Sequence, residues 1–443
     1  MINLPSVAAS KIDLKKPIKN ASTDYQSVFS NKPKILDNDS TVKKSTPSTS
    51  FLPQVNDSAL NPTVSNLSSI KAPTGSTSIV KFSNGDVYNG SILDGQKDGE
   101  GTYQWVSGGE YRGTWKDNIF HGTGTRTWAS GDKYVGQWIN GKQHGNGKYL
   151  WPGGYVYDGE WMNDKKSGKG IFKWKDGGEY NGEWKEDSFD GQGTRTWPSG
   201  DKYIGQWVND KRHGRGKYLW PDGNSYEGDW KDNQRTGIGT FLWPSGNKYI
   251  GDFVAGEHTG SGTFIWVNGS TYNGQWKSGN MHGKGNRKYA NGNIYDGEWM
   301  NSKRSGKGNF KWKDGGEYNG EWKEDNFDGQ GTRTWPSRDK YIGQWINDKR
   351  HGRGKYLWPS EDVYDGDWKD NQRTGKGTLL WADGSKYIGD FIASQRTGNG
   401  TQTWPSGDKY IGQYQNNQLH GPGQYTWSDG TIRVGQWNNG QQC

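Results

Sequence analysis

The side chains best placed for chemistry are clustered cations. Lys211, Arg212, His213, Arg215 and Lys217 fall within seven residues, and Lys349, Arg350, His351, Arg353 and Lys355 repeat the set. Such clusters suit anionic partners, because each basic residue near a membrane surface is worth about 1 kcal/mol and several clusters on one chain reinforce one another. Asp210 and the acidic stretches between the clusters offer a simpler alternative, a balanced soluble surface. His144, His213, His282, His351 and His420 recur every 69 residues. One histidine at each of several separated places does not supply the four ligands of a zinc centre, so these read as solvated loop residues. The acidic stretches around 185–191 and 324–329 offer oxygens without the alternating ligand spacing of a calcium loop. Cys443 is the only cysteine and the last residue, which leaves no internal disulfide and no thiolate metal site. No metal and no cofactor are expected.

The elements that carry these residues follow from a strict register. Tyr-x-Gly begins at Tyr88 and recurs every 23 residues up to Tyr410, giving fifteen copies without insertion or deletion. A degraded copy follows, with Arg433 where Tyr should stand, then Gly435 and Trp437. Places in the unit are counted from the Tyr. In the unit at Tyr203, Tyr203, Gly205 and Trp207 alternate with Ile204 and Gln206; further on, Gly214, Gly216, Tyr218 and Trp220 alternate with Arg215, Lys217 and Leu219. A period of two predicts two strands per unit, each with one aromatic face. The stretch from Val208 to His213 reads as the loop between them, and Pro-Asp-Gly or Pro-Ser-Gly as the turn to the next unit.

Glycine holds the third, twelfth and fourteenth places in all fifteen copies, although it weakens a strand. A bare Cα on the aromatic face leaves room for a ring to lie on the backbone, so rings and glycines are expected to interlock into a core one sheet thick. Arg126, Arg195, Arg287 and Arg333 replace the aromatic at the sixteenth place and are expected to stack on neighbouring rings. Arg338 and Glu361 stand at turn positions that are Gly in neighbouring copies. Positive φ strains such residues, so these two turns are expected to be altered, with a bend in the array.

Composition agrees with a repeat. Hydrophobic residues make up only 29% of the chain while aromatics reach 14%, too many rings for a disordered chain and too few aliphatics for ordinary cores. The net charge is +8. Residues 1–79 hold nine Lys and five Asp, and therefore half of that charge, which leaves the repeats too nearly neutral for a nucleic-acid binder. These first 79 residues, rich in Ser, Thr, Asn and Lys, show no periodicity and read as a disordered tail or linker. The N-terminus lacks the apolar core of a secretory signal, no run approaches the roughly 20 apolar residues of a membrane span, and Ile2 is not the Gly that myristoylation requires. A cytoplasmic location is expected, with a peripheral place at a membrane or the cytoskeleton as its extension.

Tyr-x-Gly-x-Trp, a loop and Gly-x-Gly at a period of 23 resemble the MORN (membrane occupation and recognition nexus) repeat, and the resemblance covers residues 80–443. Departures are small: Ile92, Phe253, Phe391 and Tyr414 replace the first Trp, and Tyr289 the second. The resemblance implies an all-β fold, an elongated array of about fifteen β-hairpins in a twisted, single-layer antiparallel sheet. It also implies a non-catalytic scaffold or adaptor that binds proteins and tethers them to membrane, with a phosphoinositide-binding module as the alternative. Choline- and glycan-binding aromatic repeats are a more distant reading, disfavoured by the missing signal. No segment within 80–443 is left over for a catalytic domain, so no enzyme is expected. Self-association through the C-terminal repeats is the remaining expectation, since a sheet with free terminal edges can add strands.

Overall fold

The computed structural model describes residues 77–443; the tail reading falls almost wholly on residues outside that range. Thirty-three strands and no helix make up the described chain, from β1 (Thr77–Lys81) to β33 (Gln441–Gln442). The first strand begins three residues ahead of the expected boundary at residue 80. Each strand pairs antiparallel with its neighbours in sequence, so the chain runs as one continuous meander in a single open sheet.

A representative unit consists of β12 (Lys202–Val208) and β13 (Lys211–Leu219), followed by β14 (Ser225–Lys231) of the next unit. The expected loop shrinks to two residues, Asn209 and Asp210, with φ of 48° and 64°. Two left-handed residues in succession match the twist of a hairpin, which is why Asn, Asp and Gly recur there. His213 therefore lies on a strand, opposite Gln206, and the reading of the histidines as loop residues is corrected. The pairing steps from Gly205 with Gly216 to Gln206 with His213, so Gly214 and Arg215 bulge. A Cβ on Gly214, at φ +59°, would sit 1.6 Å from Gln206 Oε1. That oxygen instead accepts the Arg215 N–H at 3.3 Å.

The core lies on one face of the sheet. Tyr203 is fully buried because its ring lies over backbone: a Cβ on Gly216 would come within 2.2 Å of Tyr203 Oη. The hydroxyl donates to the Gln206 carbonyl at 3.0 Å. Trp207 and Trp230 close over the ring edge-on, with centroids at 5.0 and 5.4 Å, a favoured aromatic geometry. In most copies the Tyr thus touches the fifth-place ring of its own unit and that of the next, a Trp or, at Phe253, Phe391 and Tyr414, its aromatic replacement, and the packing runs along the whole array. The interlock of rings and glycines expected from the sequence is present.

The sixteenth-place arginines also lie as expected. The guanidinium carbons of Arg126, Arg195 and Arg333 sit 3.6, 3.2 and 3.3 Å from the centroids of Trp105, Trp174 and Trp312, and that of Arg287 sits 4.4 Å from Trp266. Burial pulls Arg195 and Arg333 down to about 10, still cationic at neutral pH. The two unusual turns depart from expectation. Arg338 and Glu361 adopt φ of 73° and 72°, and their N–H groups donate to Trp335 and Trp358 carbonyls at 2.8 and 3.0 Å, as Gly200 does to Trp197 at 2.9 Å. Sheet pairing on both sides holds these turns to the common shape, so the two residues bear the strain and the turns are not altered.

Candidate functional site

The ten basic residues divide between the two faces of the sheet. Arg212 and Arg350 belong to the aromatic face. Arg212 is 5% exposed, with its guanidinium carbon 4.6 Å from the Trp230 centroid and 5.1 Å from Tyr218. Asn233 in the next hairpin turn holds it there: its Oδ1 accepts from the Arg212 backbone N–H at 2.9 Å and Nε at 3.3 Å, and its carbonyl accepts from Nη2 at 3.1 Å. Arg350 repeats the arrangement with Trp368 at 4.5 Å and with Asn371, and burial holds its guanidinium below the usual range. Neither presents a cation to a partner, so their assignment to an exposed basic cluster is corrected. The sequence carried a signal for this: the tenth place, which they occupy, holds Phe120, Phe189, Met281, Phe327 and Leu419 in other copies.

Lys211, His213, Arg215 and Lys217 do share the outer face, as do Lys349, His351, Arg353 and Lys355, by strand alternation. Acidic side chains from the next unit meet most of them. Lys211 lies 3.4 Å from Asp232, Arg215 lies 3.3 Å from Asp229, and Lys217 lies 3.6 Å from Glu227. Lys349 is 3.5 Å from Asp370, and Arg353 is 3.7 and 3.5 Å from Asp365 and Asp367. Lys355 is exposed and stands between Ile342 and Asp365 on the neighbouring strands. His213 and His351 are half-buried at their bulges. Exposed pairs of this kind contribute little stability, but they cancel the field that an anionic surface would feel.

A second feature of the outer face escaped the sequence reading. Second-place and fifteenth-place residues meet across every strand boundary, forming one row along the sheet. Towards the C-terminus the row runs Thr378, Ile388, Thr401 and Ile411. Ile388 and Ile411 are 49% and 46% exposed. They floor an open groove of about 450 Å³, with Arg353, Asp365 and Lys376 at one end. The alternation was legible, but which second-place residues would adjoin required the register across the bulges. No cluster of metal-binding side chains occurs among the described residues.

A family model described as MORN repeat matches fifteen consecutive segments of the chain, from residues 88–110 to 410–432. No curated protein matches. Among solved structures, the TCP10 domain of Danio rerio CPAP in complex with a STIL peptide is similar at 8% identity, covering 66% of this chain and 98% of that one with a TM-score of 0.20. The Drosophila melanogaster SAS-4 TCP domain in complex with a proline-rich motif of Ana2 gives 12% identity, 41% and 88% coverage and a TM-score of 0.20. Virginiamycin B lyase from Staphylococcus aureus gives 11%, 75%, 92% and 0.10. Superpositions this poor say nothing about what this chain does.

Proposed function

The chain belongs to the MORN-repeat family, and on that footing we propose that it is a non-catalytic scaffold that binds proteins along the outer face of its sheet. The observation that supports this reading is the row of Thr378, Ile388, Thr401 and Ile411: exposed isoleucines alternating with half-buried threonines on a sheet face whose opposite side is already packed with rings. Apolar side chains flanked by charge suit a protein surface, where burial of each aliphatic stabilises the complex and the rim charges set orientation. An extended segment lying along the groove is the simplest ligand, recognised in a cytoplasmic setting. The test is affinity capture from a cell extract with the wild-type chain and an Ile388→Asp/Ile411→Asp variant, followed by reconstitution of each specifically retained protein in purified form. Direct binding lost in the variant, with near-ultraviolet circular dichroism unchanged, supports the reading; equal binding by both chains removes the outer row from it.

Binding to phospholipid is the second reading, favoured by the outer-face cations Lys211, Arg215, Lys349 and Arg353. Their acidic neighbours at 3.3–3.7 Å weigh against it, because a headgroup must compete with a partner already in place.

A further inference from the structure

One stacking contact recurs between neighbouring units and then fails twice in succession. The eighteenth place is Trp in every full copy except at Tyr289, and these rings, most of them half-buried, pack against the core beside the turns. The sixteenth-place residue of the following unit lies against them. Trp335 meets Tyr356 at 5.7 Å, Trp404 meets Tyr425 at 5.6 Å, and Trp312 meets the Arg333 guanidinium at 3.3 Å. Twelve such pairs lie between 3.2 and 5.8 Å. The two exceptions are adjacent. After Trp358 and Trp381 the sixteenth place is Leu379 and Gln402, whereas it is Tyr, Phe or Arg in the other thirteen copies. Both residues are buried, at 8% and 4% exposure, and Gln402 accepts a hydrogen bond from Arg396. Trp381 therefore meets no ring among the described residues, and Trp358 meets only Tyr356 of its own unit, at 4.6 Å. Tenth-place arginines do not take the missing place. Arg373 and Arg396 approach Trp358 and Trp381 at 5.9 and 5.5 Å, much as Arg235 approaches Trp220 at 5.7 Å while Phe241 still stacks there at 5.5 Å.

The turns that follow these rings carry negative charge. Residues 359–362, 382–385 and 405–408 contain Glu361, Asp362, Asp383 and Asp408 and no Lys or Arg. None of the four carboxylates joins an ion pair among the described residues, and Glu361 and Asp383 are exposed. Neighbouring turns are tied side by side: Asp362 Oδ1 accepts the Ala382 N–H at 2.8 Å, and Asp408 Oδ1 accepts the Ser428 N–H at 2.9 Å. The acids thus form one edge along the array. Lys376, Lys386 and Lys409 belong to the outer face by strand alternation.

We propose that Trp358 and Trp381 take their missing partners from another protein: the guanidinium groups of an extended basic segment, with arginine at every third residue, lying along the acidic turn edge. The chain itself shows the chemistry, since four of its eighteenth-place rings hold an internal guanidinium at 3.2–4.4 Å. The carboxylates decide between a ring and a cation as the ligand group. Glu361, Asp362, Asp383 and Asp408 pair with arginine through charge-assisted hydrogen bonds and offer an aromatic side chain nothing. Spacing sets the period of the segment. Successive units are two strands apart, about 9.6 Å, and three residues of extended chain advance about 9–10 Å, so arginines three apart reach successive rings. Two weak contacts on one segment reinforce each other. The surface lies on the side of the sheet opposite Ile388 and Ile411, so the inference does not rest on the outer-face reading.

Fluorescence polarisation of labelled peptides with the full chain at physiological salt tests this. The first peptide carries four arginines, one at every third position, separated by serines; the second has the same composition with its arginines contiguous. The first is expected to bind, and the second to bind at least about tenfold more weakly, because a contiguous block does not reach successive rings. Leu379→Phe/Gln402→Tyr installs residues that other copies carry at this place, such as Phe310 and Tyr356. It restores the internal stacks and is expected to abolish binding of the spaced peptide. Glu361→Gln/Asp383→Asn changes two exposed side chains and leaves the core alone; it is expected to weaken binding about tenfold and to reduce its dependence on salt. Near-ultraviolet circular dichroism checks that both variants fold. No binding of the spaced peptide to the wild-type chain overturns the proposal. So do equal affinities for the two peptides, which mark a diffuse attraction between opposite charges, or a Leu379→Phe/Gln402→Tyr chain that binds as tightly as wild type.

Discussion

At the residue scale, the protein rests on one contact repeated fifteen times: a tyrosine ring over a glycine Cα. Because a Cβ on Gly216 would meet Tyr203 Oη at 2.2 Å, Gly216→Ala must displace a fully buried ring and its hydrogen bond to Gln206. Overpacking of this kind costs about 1–3 kcal/mol, and the loss should appear as faster amide hydrogen exchange in 203–230, with distant units unchanged. A second residue-scale prediction concerns pH. His258 takes the tenth place and stacks on Tyr249 with centroids 4.0 Å apart; burial, then nearby Arg235, depresses it to about 4. The folded imidazole is thus neutral where the unfolded one, titrating near 6.5, would be charged. Stability is complete above about pH 6.5 and falls as pH drops towards 4, by up to about 3 kcal/mol. His258→Phe, which installs the residue found at the equivalent Phe120, Phe189 and Phe327, should abolish the extra acid lability of 235–281 in exchange measurements at pH 7 and 5, corrected for intrinsic rates.

At the scale of the element, each hairpin is fastened to the one before it by its own turn. The second turn residue, Asn233 for example, reaches back to the backbone N–H of Arg212 and to its guanidinium. Asp210 does the same for the Phe189 N–H at 2.8 Å and Asp348 for that of Phe327 at 2.8 Å. Asn233→Ala leaves buried donors without their acceptor, so a local loss of about 1–3 kcal/mol is expected, again read by exchange in 203–240. In the opposite turns, Arg338→Gly and Glu361→Gly should each stabilise by up to about 1 kcal/mol, since the fold already imposes the left-handed conformation that costs other residues about 1–2 kcal/mol; thermal unfolding of the two variants checks the sign. Much of this level was legible in sequence. Alternation revealed the strands, the invariant glycines marked the site of ring packing, and the sixteenth-place arginines foretold the cation–π stacks. The hairpin turn was read too long because Lys211, Arg212 and His213 are polar, and polarity masked a tenth place that faces the core. Arg212 tolerates that place because its charge lies against the Trp230 face while its N–H groups reach Asn233.

At the scale of the whole molecule, stability is a sum of neighbour terms along a meander in which each strand contacts chiefly the strands beside it in sequence. The outer row was not legible beforehand, since its continuity depends on a bulge in every hairpin that brings the second and fifteenth places into line. The same register explains why the basic clusters are poorer candidates than their sequence suggests. Residues of successive units lie side by side, so most of the outer-face Lys and Arg of the two clusters meet an Asp or Glu of the next unit. Function then depends on whether the outer face acts through its aliphatic row or through its cations. Co-sedimentation of the full chain with neutral, phosphatidylserine and phosphoinositide vesicles at low and physiological salt separates these most directly. The account predicts that the chain stays in solution with all three at physiological salt; salt-sensitive sedimentation with anionic vesicles, reduced by neutralising Lys211, Arg215, Lys349 and Arg353, would contradict it and assign the outer face to a membrane.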